Sequence, residues 1–463
     1  MRLHAWQMER DLRTAAVPLD RRSHGSTWFD PDAVVHGADD LMLLFWNSTV
    51  PGSGAPECPY QEMVQSMANR GYAAEDAEEL LEHGKALAAA HDVPALRALS
   101  GELLRRLFDA PRDPASSYWG FSSPATWQAV REDMTNADAS LAGAAVPDLE
   151  ERMHSAWIGQ LAGGAFGTAI EGYTGSSIRA VYGNIEGYVT APETMNDDVV
   201  YELAFLDAVE RHGRGVTSTD IAREWLEHIP FGWSAEWVAL QNLRAGIFPP
   251  DSGTFRNPYV DWIGCQMRGM VCGMVVPGRP LESARLAHID GVVSHAGNGV
   301  YGGIYAAVLS SLAFVRDDVR HVLVEASEYL PRHSEYAAVV QECLQRVAAS
   351  EGPDEALQWA ESRFEQYNWI HAYPNIAAVI VALWFGHGDM TATFKLLAHA
   401  GLDVDCNAGL AGTILGAMHG VPSPWQDPLG DRLETYIAGK ESLSIRDLSA
   451  RTARLTHIMT EKA

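Results

Sequence analysis

Cysteine is scarce in this chain. Five residues in 463 carry a thiol, at positions 58, 265, 272, 343 and 406, an odd number, widely spaced and without any C-x-x-C. That pattern excludes a disulfide framework and a zinc knuckle and fits a reducing cytoplasm. Positive charge is also short, with 34 Lys and Arg against 60 Asp and Glu and a formal charge of −26. A nucleic-acid backbone would be repelled by that excess, and no local basic patch reverses it, so nucleic acid is excluded as a partner. Long apolar runs are missing. The longest, Ile376 to Phe385, is too short to span a bilayer, and the opening MRLHAWQMERDLR has no apolar signal-peptide core. The expectation is a soluble cytoplasmic protein with no membrane partner. Strand-rich stretches, an internal repeat of fixed period and a G-x-S-x-G nucleophile motif are likewise absent.

What is present is enough apolar material, 47% of the chain, for a large core. An aromatic-rich opening (Trp28, Phe29, Phe45, Trp46) leads into a helical stretch from about Tyr60 to Phe108. The loop-like segment from Pro111 to Trp127 and the linker ADASLAGAAVPDL follow. Beyond it, apolar residues recur at helical spacing over 151–172, 197–212, 219–228, 299–315, 318–329, 334–349, 354–366, 371–386 and 404–419. The reading is an all-α protein in two parts, a helical extension over residues 1–150 and a large helical catalytic domain over 151–463.

Two acidic steps stand where helices begin, Asn196-Asp197-Asp198 and Asp403-Val404-Asp405, about two hundred residues apart. Either alone reads as a helix cap, since Asn and Asp are preferred there and acids complement the dipole. Capping needs one oxygen per helix, however, and each step supplies more. If the fold brings them together, their mutual repulsion calls for a hard cation bound through oxygen. Glycines mark close helix packing nearby: Gly159, Gly163, Gly164 and Gly167 in one helix, and Gly409, Gly412 and Gly416 on the same face as Asp405 in another. Residues Gly297 to Gly302 satisfy G-x-G-x-x-G, but without βαβ context the dinucleotide reading fails, and only a helix N-terminus open to an anion is left. His295 alone reads as a structural histidine, and its adjacency to Ser294 points the two side chains apart.

The order of these features, a Gly-rich helix ending in Glu171, then Asn-Asp-Asp, then SHAGNGVYGG, then HAGLDVDCNAGLAGTILGAMHGVPSPW, resembles the ADP-ribosylglycohydrolase family over about Met153 to Pro428. The resemblance implies an orthogonal helical bundle and a hydrolase with two Mg²⁺ or Mn²⁺ ions. It implies Asn196, Asp197, Asp198, Asp403 and Asp405 as metal ligands and Glu171 with Asp198 as catalytic residues. Ser294, His295, Gly297, Asn298, Gly299 and Tyr301 are implied as substrate-binding. Four departures from the family pattern bear on the ion count: Asn196, Val199 and Cys406 where threonines are usual, and Gly164 where an aspartate is usual. The expected reaction is hydrolysis at the anomeric carbon of ADP-ribose or of a simpler ribosyl nucleotide or nucleoside, free or carried on an ADP-ribosylated protein. The alternative is a relative that binds ADP-ribose or a nucleotide without turnover. The aromatic loop Tyr118-Trp119-Gly120-Phe121 is expected to act as a pocket lid or base-stacking wall.

Overall fold

The computed structural model describes residues 14–15, 32–136 and 146–460. Trp28, Phe29, the first thirteen residues and positions 137–145 of the linker lie outside the described residues. The chain is 65% helical, and the strands among the described residues are two-residue pairs such as Ser48–Thr49 with Pro56–Glu57. The fold is all-α, as the 3.6-residue periodicity requires.

The extension holds three longer helices, α1 (Asp32–Trp46), α2 (Pro59–Asn69) and α3 (Val93–Asp109). The helical stretch expected from about Tyr60 to Phe108 is present as several helices, divided where the backbone takes positive φ at Gly71 (71°) and again at His91 (53°). A separate apolar core joins these helices: Phe45, Trp46 and Met63 pack with Leu96, Leu103 and Leu107, closed on one side by Tyr259 and Trp262. Polar contacts fasten the same seam. Ser66 Oγ donates to the Pro258 carbonyl (2.8 Å) and Tyr259 Oη to the Pro59 carbonyl (3.2 Å).

In the larger body the helices that position the site are α4 (Leu149–Gly167), α5 (Asp197–His212), α6 (Ser234–Arg244), α7 (Asn298–Ala313), α8 (Ala372–Gly386) and α9 (Val404–His419). Helices α4 and α9 touch backbone to backbone. A Cβ on Gly159 would sit 2.0 Å from the Gly412 carbonyl oxygen, and one on Gly167 would sit 2.1 Å from the Asp405 nitrogen. Glycine costs up to ~1 kcal/mol in a helix interior, and here the compensation is close approach. The second contact matters most for the site, since it sets the start of α9 directly against the end of α4. Helix α4 stops at Gly167, short of Glu171, where Thr168 Oγ1 turns back to the Gly164 carbonyl (2.8 Å). Glu171 therefore lies on the following turn rather than on the helix, and Gly172 (φ 76°) completes that turn by donating to the Leu402 carbonyl (3.0 Å).

Candidate metal centre

Both acidic steps begin helices, and the capping is done by the first residue of each. Asn196 Oδ1 accepts the Asp198 N–H (2.8 Å), and Asp403 Oδ1 accepts the Cys406 N–H (3.3 Å). That leaves Asp197, Asp198 and Asp405 free of the capping task. The two steps also meet: Asn196 Nδ2 donates to Asp405 Oδ2 (3.0 Å), and the Cys406 thiol donates to Asp198 Oδ1 (3.5 Å). Glu171, Asn196 and all four aspartates line one cavity of about 400 Å³.

The electrostatics of this cluster are costly. Asp198, Asp403 and Asp405 are buried. Desolvation, then the charge of Asp405, pushes Asp198 and Asp403 well above the ordinary aspartate range. The same two causes raise Asp197 to about 6. Burial together with the four aspartates raises Glu171 strongly. Asp405 Oδ1 is buried without a hydrogen-bond partner. Among the described residues lining the cavity there is no Lys, Arg or His to balance these charges. Oxygen donors, a partnerless buried carboxylate oxygen and no side-chain countercharge fit a hard divalent cation. The nearby Cys406 thiol does not compete, because burial and the adjacent carboxylates hold it protonated. A second acid–histidine group, Asp207, Glu224 and His228, is different in kind: Arg451 pairs with Asp207 (2.7 Å) and Arg211 with Glu224 (2.9 Å).

The turn from Ser294 to Tyr301 is placed one layer behind the cavity, and none of its six expected substrate contacts is among the lining residues. Ser294 and His295 do not point apart. The turn after residue 291 sends both N–H groups to the Gly291 carbonyl and brings Ser294 Oγ within 2.7 Å of His295 Nδ1. Burial drives the imidazole well below its usual pKa, so it is neutral. The start of α7 is unfavourable to anions because the buried Asp261 carboxylate stands beside it, Oδ1 without a hydrogen-bond partner and 3.9 Å from where a Cβ on Gly297 would lie. Asn298 Oδ1 accepts the Tyr336 N–H (3.1 Å), Tyr301 Oη donates to the Pro124 carbonyl (2.8 Å), and a Cβ on Gly297 would meet Ser123 Oγ at 2.7 Å. Through Pro124 and Ser123 this turn is joined to the extension.

The aromatic loop is likewise away from the cavity, for its side chains are engaged elsewhere. Tyr118 Oη donates to Asp261 Oδ2 (2.8 Å), and Trp119 Nε1 donates to the Gly71 carbonyl (2.8 Å). The extension reaches the cavity through other residues, among them Phe45, Val50, Glu57 and Glu62. Sequence reasoning also missed Glu236, a buried cavity-lining acid at the start of α6. Arg268 holds it, with Nη1 2.6 Å from Glu236 Oε1 and Nε 2.6 Å from Asp290 Oδ2. The guanidinium lies 4.9 Å from the Trp225 ring centroid. No local spacing announces that network, since its members come from separate segments.

The sequence profile described as ADP-ribosylglycohydrolase matches residues 145–457, more than half of the chain. The chain belongs to the ADP-ribosylglycohydrolase family. An uncharacterized protein of Archaeoglobus fulgidus is 25% identical over 303 residues, covering 61% of this chain and 93% of that protein. A solved structure titled ADP-ribosylglycohydrolase-related protein complex aligns at 18% identity and a TM-score of 0.45, over 68% of this chain and 99% of that one. The family match starts at residue 145, so the segments carrying Phe45, Glu57 and Glu62 lie outside it. No helix among the described residues is long and apolar enough to cross a membrane.

Proposed function

We propose that the chain is a metal-dependent glycohydrolase that cleaves a bond at the anomeric carbon of a ribosyl substrate. The observation that carries this reading is the meeting of Asp197, Asp198, Asp403 and Asp405 with Glu171 in one cavity with no basic side chain among its described lining residues. Asp197, Asp198, Asp403 and Asp405 would hold Mg²⁺ or Mn²⁺, with Asn196 keeping Asp405 in place through its amide. When bound, such a cation supplies Lewis-acid polarisation and a water of lowered pKa. Glu171, on its turn beside the four aspartates, takes the proton of the attacking water. The water oxygen bonds to the anomeric carbon, the glycosidic bond breaks, and its electron pair leaves with the aglycone. Glu236, fixed by Arg268, has the reach and rigidity to accept a ribose hydroxyl.

The test is chromatographic detection of free ribosyl product from a panel of ribosides and ADP-ribosyl compounds, with chelator-treated protein as control. Release that requires Mg²⁺ or Mn²⁺ and disappears in Asp198→Asn, with helical circular dichroism unchanged, is the expected result. Full activity in that variant contradicts the assignment, and absence of turnover across the panel favours a binding protein.

A further inference from the structure

The cavity is lopsided in charge. Its described lining includes nine carboxylates, four of them the aspartates of the metal centre, and no basic residue. Four helices begin at its wall, α2, α5, α6 and α9, and each already has an acid in its first turn: Glu62, Asp197 with Asp198, Glu236, and Asp405. The partial positive charge that lets a helix start bind phosphate is thereby taken up by the protein's own carboxylates. Beyond the metal centre, this described lining offers a phosphate no basic side chain.

The wall contributed with the extension has complementary chemistry. Glu57 and Glu62 stand among the rings of Phe45, Tyr259, Trp262 and Trp369. Glu62 is 7% exposed, and neither acid forms a salt bridge among the described residues. Glu57 Oε1 accepts only a neutral donor, Ser48 Oγ (2.8 Å). The Tyr259 and Trp262 ring centroids are 4.5 Å apart. A second observation points to a ligand here: Trp262 Nε1 belongs to a cavity-lining residue, is buried, and has no hydrogen-bond partner. Buried acids beside aromatic faces make a receptor for an organic cation, whose charge favours their ionised form when it binds.

Resting on the glycohydrolase reading, we infer that this wall takes a positively charged organic group, so that the substrate is a phosphate-free riboside whose aglycone carries an ammonium, guanidinium or pyridinium charge. For a pyridinium riboside the reaction balances without a further reactant. The water oxygen bonds to C1, the C1–N pair returns to the ring nitrogen, neutral pyridine leaves, and the water's proton passes through Glu171 to solvent.

Binding is measured first with probes that have no glycosidic bond, 1-methylnicotinamide against neutral nicotinamide, by calorimetry on the wild-type full chain. The cation is expected to bind at least about tenfold tighter. Glu57→Gln and Glu62→Gln should each bring the two probes to within about threefold while circular dichroism stays unchanged. Equal binding of the two probes by the wild type, or an undiminished preference in both variants, overturns the inference. Turnover of nicotinamide riboside, nicotinic acid riboside and ADP-ribose then separates the two readings. Cation-selective binding with no riboside hydrolysed removes the glycohydrolase reading and leaves the cation wall standing. Metal-dependent hydrolysis that favours ADP-ribose over nicotinamide riboside removes the cation wall and leaves the glycohydrolase reading standing.

Discussion

Three helix starts in this chain look alike on paper, at Asp197, Val404 and Asn298, each small or polar and each a candidate for ligand binding. The fold uses them differently. At the first two, a neighbouring Asn196 or Asp403 does the capping and leaves further carboxylates turned to the cavity, one with an orphaned oxygen. At the third, a single carboxylate from another segment, Asp261, stands beside the helix start, and the extension covers it through Tyr118 and Pro124. What separates them is the surface each start faces, the cavity for the first two and the extension for the third.

The sharpest way to separate these regions is by activity. Asp198→Asn or Asp405→Asn is expected to cut turnover by at least about 10²–10³-fold, while His295→Gln costs less than about tenfold. Equal losses would erase the contrast between the cavity wall and the turn behind it. Next comes stability. Gly167→Ala drives a Cβ into the start of α9 and should cost about 1–3 kcal/mol, lowering the melting temperature and weakening Mn²⁺ binding together. Asp261→Ala removes the acceptor of Tyr118 Oη beside α7 and should cost about 1–2 kcal/mol in denaturant titration with Mn²⁺ affinity unchanged. A joint loss there would tie the turn to the metal centre after all.

The smallest effect concerns the extension wall. Burial, with Glu57 beside it, pushes Glu62 from 4.5 to about 8. The unfolded chain releases that proton first, so folding stability falls as pH rises from about 4.5 to about 8. Glu62→Gln removes this loss. Its melting temperature should exceed that of the wild type at pH 8, with the gap closing toward pH 5, and a gap that widens at low pH would contradict the assignment.

How far the sequence could be read follows the range of the interactions. Helical periodicity and the glycine seam are local, so α4, α5 and α9 were legible, and doubled acids at helix starts singled out the four aspartates and, with the family order, Glu171. The surroundings of the turn at Ser294 were not legible, because its partners Arg268 and Pro124 are distant in sequence. The same holds for the aromatic loop, whose polar atoms bond Asp261 and the Gly71 carbonyl. Glu236 and Glu62 were invisible because an acid on an ordinary helix carries no local sign that a cavity faces it.

The central claim is that two acidic steps about two hundred residues apart form one cation site. Calorimetric titration of Mn²⁺ into chelator-stripped protein tests it most directly, comparing the wild type with Asp198→Asn and Asp405→Asn. Saturable binding in the wild type that weakens by about tenfold or more in both variants is the expected result. Unchanged Mn²⁺ affinity in either variant would contradict it.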